Sequence, residues 1–300
     1  MSKLPGDESV TAGAERKPFL DAKSHDAIDR LLETIHRLRA PGGCPWDRKQ
    51  TPQSLRPYLI EESYEVLEVL DQIDSIEKLK IPKLRDSLCE EFGDVLMQIL
   101  LHSEIATEAG AFSFTDVVRT LDEKLIRRHP HVFGDATVAD ADDVVKKWDL
   151  IKAAEKAGDA GRKLSALDGV PLAMPALARA EKTIGKVTKV GFQWPDVEGP
   201  LGKLEEEIRE LSEAIRSGTQ VQIEEEIGDL LFSVCNVAFM KKVRPEEALR
   251  GFLAKFDSRF RFVEEGLASE GKALPGATLT EMDKHWDEAK RRERSEKKSP

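Results

Sequence analysis

Cysteine is almost missing from this chain: three residues in 300, Cys44, Cys89 and Cys235, at unrelated spacings. An odd number so placed excludes a disulfide framework and a thiolate zinc site, and leaves buried free thiols as the expectation. The six histidines are equally scattered, and their one cluster, His129-Pro130-His131, is broken by a proline. It therefore offers no i, i+4 ligand pair on a helix, and a turn is expected there. No run approaches the roughly 18 apolar residues of a membrane span, and the opening Met1-Ser2-Lys3-Leu4-Pro5-Gly6-Asp7 lacks the apolar core of a signal peptide. These absences give the expectation of a cytoplasmic protein without a membrane partner. Glycine-rich phosphate loops and serine elbows are missing as well. Excess positive charge is missing too: 46 basic against 56 acidic residues leave a net charge of −10, which argues against a general grip on nucleic acid.

What the chain has is acid, arranged twice in the same order. Glu62 and Glu65 are followed by Glu91 and Asp94, and later Glu207 and Glu210 are followed by Glu226 and Asp229. A three-residue step turns a helix by about 300°, so each i, i+3 pair projects from nearly one face. Two such helices side by side aim four carboxylates at one point. More than the acids repeats. Gly43-Cys44-Pro45-Trp46-Asp47 precedes the first quartet and Gly191-Phe192-Gln193-Trp194-Pro195-Asp196 the second. A basic i, i+4 pair follows each, Lys124 with Arg128 and Lys255 with Arg259, and then a Trp-x-x-x-Lys step, Trp148 with Lys152 and Trp286 with Lys290. A period of about 140 residues is too long for a solenoid and reads as a duplicated domain.

Helical periodicity dominates and no alternating strand pattern is found, so the fold class expected is all-α, with two helical bundles in tandem. The divisions are a non-periodic polar tail over 1–23, a first helical domain over 24–160, a linker over 161–175, a second helical domain over 176–292 and a charged tail over 293–300. Helix starts are expected near Ser24 or Asp26 and at Thr51-Pro52, the latter an N-cap followed by proline. Leu88, Phe92, Val95, Leu96, Ile99 and Leu100 are expected on the buried side of the helix bearing Glu91 and Asp94. Trp46 and Trp194 are expected as core anchors.

Oxygen donors without thiolate or imidazole favour Mg²⁺, with Mn²⁺ as a substitute, over zinc. Magnesium completes its shell with water and substrate phosphates, so acids followed by a basic pair point to a polyphosphate ligand and its hydrolysis. Lys124 and Arg128 fit a phosphate contact or an ordinary exposed i, i+4 pair equally well. Glu61, Glu90, Glu206 and Glu225 adjoin the quartets, and any of them could orient the attacking water. A non-catalytic regulator, binding nucleotide or a partner in one or both halves, is the competing reading.

Trp46-Asp47 with Glu61-Glu62-x-x-Glu65 and Glu91-x-Gly93-Asp94, and Trp194 with Glu206-Glu207-x-x-Glu210 and Glu226-x-Gly228-Asp229, resemble the MazG nucleoside triphosphate pyrophosphohydrolases, as does Arg127-Arg128-His129-Pro130-His131-Val132-Phe133. The resemblance covers nearly all of the chain after the first tail. It implies the all-α NTP pyrophosphatase fold, Mg²⁺-dependent conversion of an NTP to NMP and pyrophosphate with broad base tolerance, a role in cleaning the nucleotide pool, and a homodimer. By position it implies metal ligation by Glu207, Glu210, Glu226 and Asp229, nucleotide binding by Lys255, Arg259, Trp286 and Lys290, and the same places for Glu62, Glu65, Glu91 and Asp94 in the first half. It further implies that the C-terminal half carries most of the activity. Similar chains carry a lysine where Gln222 stands here, with Ser87 at the matching place of the first half.

Overall fold

The computed structural model describes residues 21–157 and 165–296. The chain divides into two compact units, Met1–Asp159 and Ala160–Pro300. The described residues form eleven α-helices and no strand.

In the first unit, α1 (Ala22–Arg39), α2 (Pro52–Leu70), α3 (Pro82–Glu108), α4 (Phe114–Arg128), the single turn α5 (Pro130–Phe133) and α6 (Ala141–Ala157) follow in order. Asp21 caps α1 through the Ser24 amide, so the helix begins before Ser24 and takes up the end of the expected tail. Residues 1–20 of that tail lie outside the described residues. Thr51 caps α2 in a reciprocal box with Ser54, with Pro52 at the first position, and Pro57 is carried within the helix. α2 and α3 pack along each other, with α1 against α3. Ile35, Leu55, Leu100 and Leu101 form the buried core, flanked by Leu32, Leu38, Met97, Ile105 and Phe114. Burying one such leucine contributes about 1.5–3 kcal/mol. Arg39, buried at the end of α1, donates Nε and Nη2 to the Glu108 carboxylate at 2.8 and 2.7 Å and Nη1 to the carbonyls of Asp47 and Gln50. That fork ties the Gly43–Asp47 segment to the end of α3.

The second unit contains α7 (Ala176–Thr188), α8 (Glu198–Ser217), α9 (Gln220–Met240), α10 (Pro245–Ser269) and α11 (Leu279–Glu296). Here α8 and α9 form a helical hairpin, α7 packs on α9, and α11 runs along α10. Gly266 permits the last contact: a Cβ there would meet the His285 ring at 2.3 Å. Residues 165–175 are turns of the second unit that lead into α7, whereas 161–164 lie outside the described residues.

Four expectations are corrected. Phe92, Leu96 and Ile99 are exposed while Leu88 and Leu100 are buried, because α3 carries two apolar stripes and only one meets the core. Trp46 and Trp194 are about half exposed; Trp46 rests edge-on against Tyr58 at 5.8 Å. Cys235 is buried but Cys89 is exposed and Cys44 only half-buried. The charged end does not begin at Glu293, since α11 continues to Glu296 and Glu293 is bound to Arg259.

Candidate active site

In the first unit, α2 presents Glu62 and Glu65 and α3 presents Glu91 and Asp94. One oxygen each of Glu62, Glu65 and Glu91 lies within 4.8 Å of the others. Asp94 stands outside that trio yet close enough to act on it. Burial lifts the Glu62 carboxyl above its ordinary value, and the charge of Asp94 adds to the lift, followed by Glu65. Glu91 is raised in the same way, by burial first and then by Glu65. The helices thus hold like charges together, at an electrostatic cost that a cation would offset.

In the second unit, one oxygen each of Glu207, Glu226 and Asp229 gathers within the same 4.8 Å span. Glu210 is the fourth acid and stands outside the trio. Burial raises its carboxyl, Lys203 opposes the rise, and Glu207 and Glu206 add to it. Glu207 is the most enclosed of the acids, with its side chain 3% exposed. Its Oε2 is buried and has no hydrogen-bond partner among the described residues, although an unpaired buried carboxylate oxygen is costly. An all-oxygen donor set with such an orphaned atom fits a hard divalent cation.

Lys203, one turn before Glu207 on α8, was not singled out by sequence reasoning. Its Nζ lies 2.8 Å from Glu207 and 3.0 Å from Glu206, and these contacts hold the ammonium firmly protonated. The available signal was a lysine at i−4 on the acid-bearing face. Tyr58 occupies the matching place on α2. Gln222, which replaces the expected lysine, is engaged otherwise: its Oε1 accepts from the Thr219 amide at 2.9 Å in the capping box that opens α9.

The basic and aromatic residues form a second group in each unit. Lys255 is exposed on α10, without an ion pair among the described residues. Arg259, one turn on, lies 5.6 Å over the Trp286 ring, which also packs against Phe256. Lys290 pairs with Asp287 at 2.9 Å. A cavity of about 280 Å³ is lined by Arg259, Lys290, Glu293 and Arg294. In the first unit Lys124 is half-buried, Arg128 is bound to Glu155, and Lys152 lies 5.2 Å over Trp148. α10 packs on both α9 and α11, and α3 packs on α4, so helices bearing acids adjoin helices bearing bases. Of the adjoining acids, Glu206 is taken up by Lys203, whereas Glu61, Glu90 and Glu225 are exposed. Glu155 and Glu293 were missed by sequence reasoning, because their partners lie on other helices.

Comparison with known proteins agrees with this geometry. The model of the MazG nucleotide pyrophosphohydrolase domain matches residues 50–133 and 198–263, which span both acid-bearing hairpins. The nucleoside triphosphate pyrophosphohydrolase/pyrophosphatase MazG of Thermotoga maritima is 44% identical over 265 residues, covering 88% of this chain and 95% of that protein. The nucleoside triphosphate pyrophosphohydrolase of Escherichia coli K12 is 39% identical over 269 residues, covering 89% of this chain and 98% of its own. The Bacillus subtilis protein YabN, itself uncharacterized, is 45% identical over 264 residues, which make up 87% of this chain and 51% of YabN. With its two matched segments, its all-α fold and its doubled acid clusters, the chain belongs to the MazG nucleotide pyrophosphohydrolase family.

Proposed function

We propose that the protein hydrolyses nucleoside triphosphates to the nucleoside monophosphate and pyrophosphate, with Mg²⁺ as its metal and Mn²⁺ as a substitute, and that it accepts several bases in a housecleaning role. The observation that carries this reading is the gathering of Glu207, Glu226 and Asp229 in the second unit, where Glu207 Oε2 is buried without a partner, beside the gathering of Glu62, Glu65 and Glu91 in the first. Each repeat, 24–160 and 176–296 with 161–175 between them, is one hydrolase unit.

Glu207, Glu210, Glu226 and Asp229 would hold the metal in the second unit, and Glu62, Glu65, Glu91 and Asp94 in the first. Bound there, the cation supplies Lewis-acid polarisation of phosphate oxygens and charge neutralisation. Lys255, Arg259 and Lys290 bind the phosphates and neutralise the charge that grows on the leaving pyrophosphate. Trp286 offers its face to the nucleotide. Lys124 and Arg128 take the same part in the first unit. A carboxylate oxygen of an adjoining acid, Glu206 or Glu225 in the second unit, accepts the proton of the attacking water.

The working form is a homodimer in the cytoplasm. Support comes from apolar side chains that the described units leave exposed, among them Tyr64, Phe92, Leu96, Leu231 and Phe232. Gly93 and Gly228 point the same way: an interior helical glycine costs about 0.5–1 kcal/mol relative to alanine, and a Cβ at either would meet nothing within 4 Å in this chain.

Product analysis tests the activity. Incubation with ATP and with each common dNTP in Mg²⁺ is expected to yield NMP and pyrophosphate in equal amounts. NDP with orthophosphate would overturn the assignment of the bond.

A further inference from the structure

In both units the arginine of the basic pair is held by a glutamate that comes seven residues after the tryptophan. Glu155 follows Trp148 by that interval and Glu293 follows Trp286 by the same one. Positions i, i+4 and i+7 share one helical face, so Trp286, Lys290 and Glu293 line one side of α11, and Trp148, Lys152 and Glu155 one side of α6. The same two guanidinium groups donate in each unit, although Glu155 also accepts from Arg127 Nε at 2.7 Å. Arg259 donates Nε to Glu293 Oε1 at 2.9 Å and Nη2 to Oε2 at 2.7 Å. Arg128 donates Nε and Nη2 to Glu155, the shortest contact being 2.6 Å to Oε2.

A carboxylate beside an anion site repels phosphate unless its charge is already matched. Here both oxygens of Glu293 are engaged by one guanidinium in a parallel fork, the geometry that fixes an arginine in orientation as well as in place. The arginines are mostly enclosed, with side chains 18% exposed for Arg259 and 19% for Arg128. In both copies the Nη1 group makes no hydrogen bond among the described residues. Glu293 also lines the cavity that holds Arg259 and Lys290.

We propose that Glu293 is a positioning residue for Arg259, and Glu155 for Arg128: each carboxylate clamps Nε and Nη2 and leaves Nη1 as the donor for a phosphate oxygen. The inference rests on the reading of Arg259 as a phosphate contact in an NTP hydrolase. It adds two residues that the acid and basic motifs do not contain.

The test uses the full chain with the first site disabled by Glu91→Gln. In that background Arg259→Ala, Glu293→Gln, Glu293→Asp and the double variant Arg259→Ala/Glu293→Gln are compared. The readouts are kcat and KM for pyrophosphate release from ATP, titration with the α,β-methylene analogue of ATP, Mn²⁺ affinity and thermal midpoint. Glu293→Gln is expected to weaken analogue binding and kcat/KM by about tenfold, within the range seen when a positioned group is misplaced. Mn²⁺ affinity should be unchanged and Glu293→Asp should restore part of the loss. The double variant should be no worse than Arg259→Ala, the outcome required of a residue that serves catalysis through that arginine. Full analogue affinity in Glu293→Gln beside a crippled Arg259→Ala would overturn the positioning role and leave the proposed activity standing. Losses that multiply in the double variant would overturn it too, by showing that Glu293 acts independently. If Arg259→Ala binds and turns over normally, the contact reading fails and the inference falls with it.

Discussion

The two acid clusters differ in what stands beside them. In the second unit Lys203 contacts Glu206 and Glu207, and Glu207 is buried; in the first, Tyr58 takes the lysine's place and Glu62 is only half-buried. The supporting helices differ as well. α11 packs along α10, whereas among the described residues α6 reaches α4 through side chains, with Glu155 bound to Arg127 and Arg128. The Glu155 carboxyl is accordingly drawn down to about 2 by Arg128 and Arg127. The same four acids thus stand on two different frames and gather differently: one cluster brings part of its counter-charge with it, and the other holds its like charges without a lysine beside them.

The most severe way to probe this difference is to remove one acid from each copy. Glu226→Gln is expected to lower the rate of pyrophosphate release at least about 100-fold, the scale on which transition-state charge stabilisation is lost. Glu91→Gln should leave most of the activity in place. Equal losses would erase the functional distinction between the halves, and the reverse order would assign the main site to the first.

Next in size is the response to metal and pH. A cation that binds only the folded chain stabilises it by about 2.7 kcal/mol at a hundredfold excess over its Kd, so Mg²⁺ should raise the thermal midpoint measurably. Glu62 and Glu91 sit above the ordinary carboxylate value of 4.5, so their contribution to stability is complete below that pH and is lost as pH rises through their folded values. The metal-free first half should therefore become less stable from mildly acid to neutral pH at these groups. Mg²⁺ should cancel that trend at neutral pH, and Glu62→Gln should flatten it. Melts of both forms at pH 5 and pH 7 check the sign. Lys203→Met extends the comparison: with the built-in cation removed, the second half should show a larger Mg²⁺-induced shift than the parent.

Arg39→Met should cost about 1–3 kcal/mol, because it strands the carbonyls of Asp47 and Gln50 as well as the Glu108 carboxylate. Glu108 has the opposite sign to Glu62. The Arg39 hydrogen bond lowers its carboxyl, so this stabilisation is present above 4.5 and disappears as pH falls through the lowered folded value. Denaturant unfolding of the variant at neutral and acid pH measures both effects. The smallest effect expected is loss of a helix cap: Thr51→Ala in the first unit and Thr219→Ala in the second should each cost about 1 kcal/mol. A much larger cost at one cap than at the other would mean that the units differ in cooperativity.

Much of this could be read in the sequence because it is local. An i, i+3 acid pair, a Thr-Pro cap or a proline after a helix depends on residues a few positions apart, and the helices and acid groups follow from such patterns. What could not be read depends on contacts between helices. The Arg259–Glu293 fork joins residues 34 apart, and Glu293 by itself is one more charge near the end of the chain. Exposure of Phe92, Leu96 and Ile99 was hidden because a helix with two apolar stripes has the same composition as one with a single wide buried face. Trp46 misled for a related reason: a large ring at a repeated position resembles an anchor whether it faces the core or the surface. Lys203 was overlooked because a lysine among glutamates on a helix is usually just a solvated neighbour.

Mn²⁺ titration followed by electron paramagnetic resonance, on the parent chain and on Glu62→Gln/Glu207→Gln, measures directly whether the carboxylate clusters collect divalent cations. The parent should bind Mn²⁺ in both halves, and the double variant should lose both sites together with pyrophosphate release. Parental Mn²⁺ binding and parental turnover in the double variant would contradict a metal-centred role for these acids.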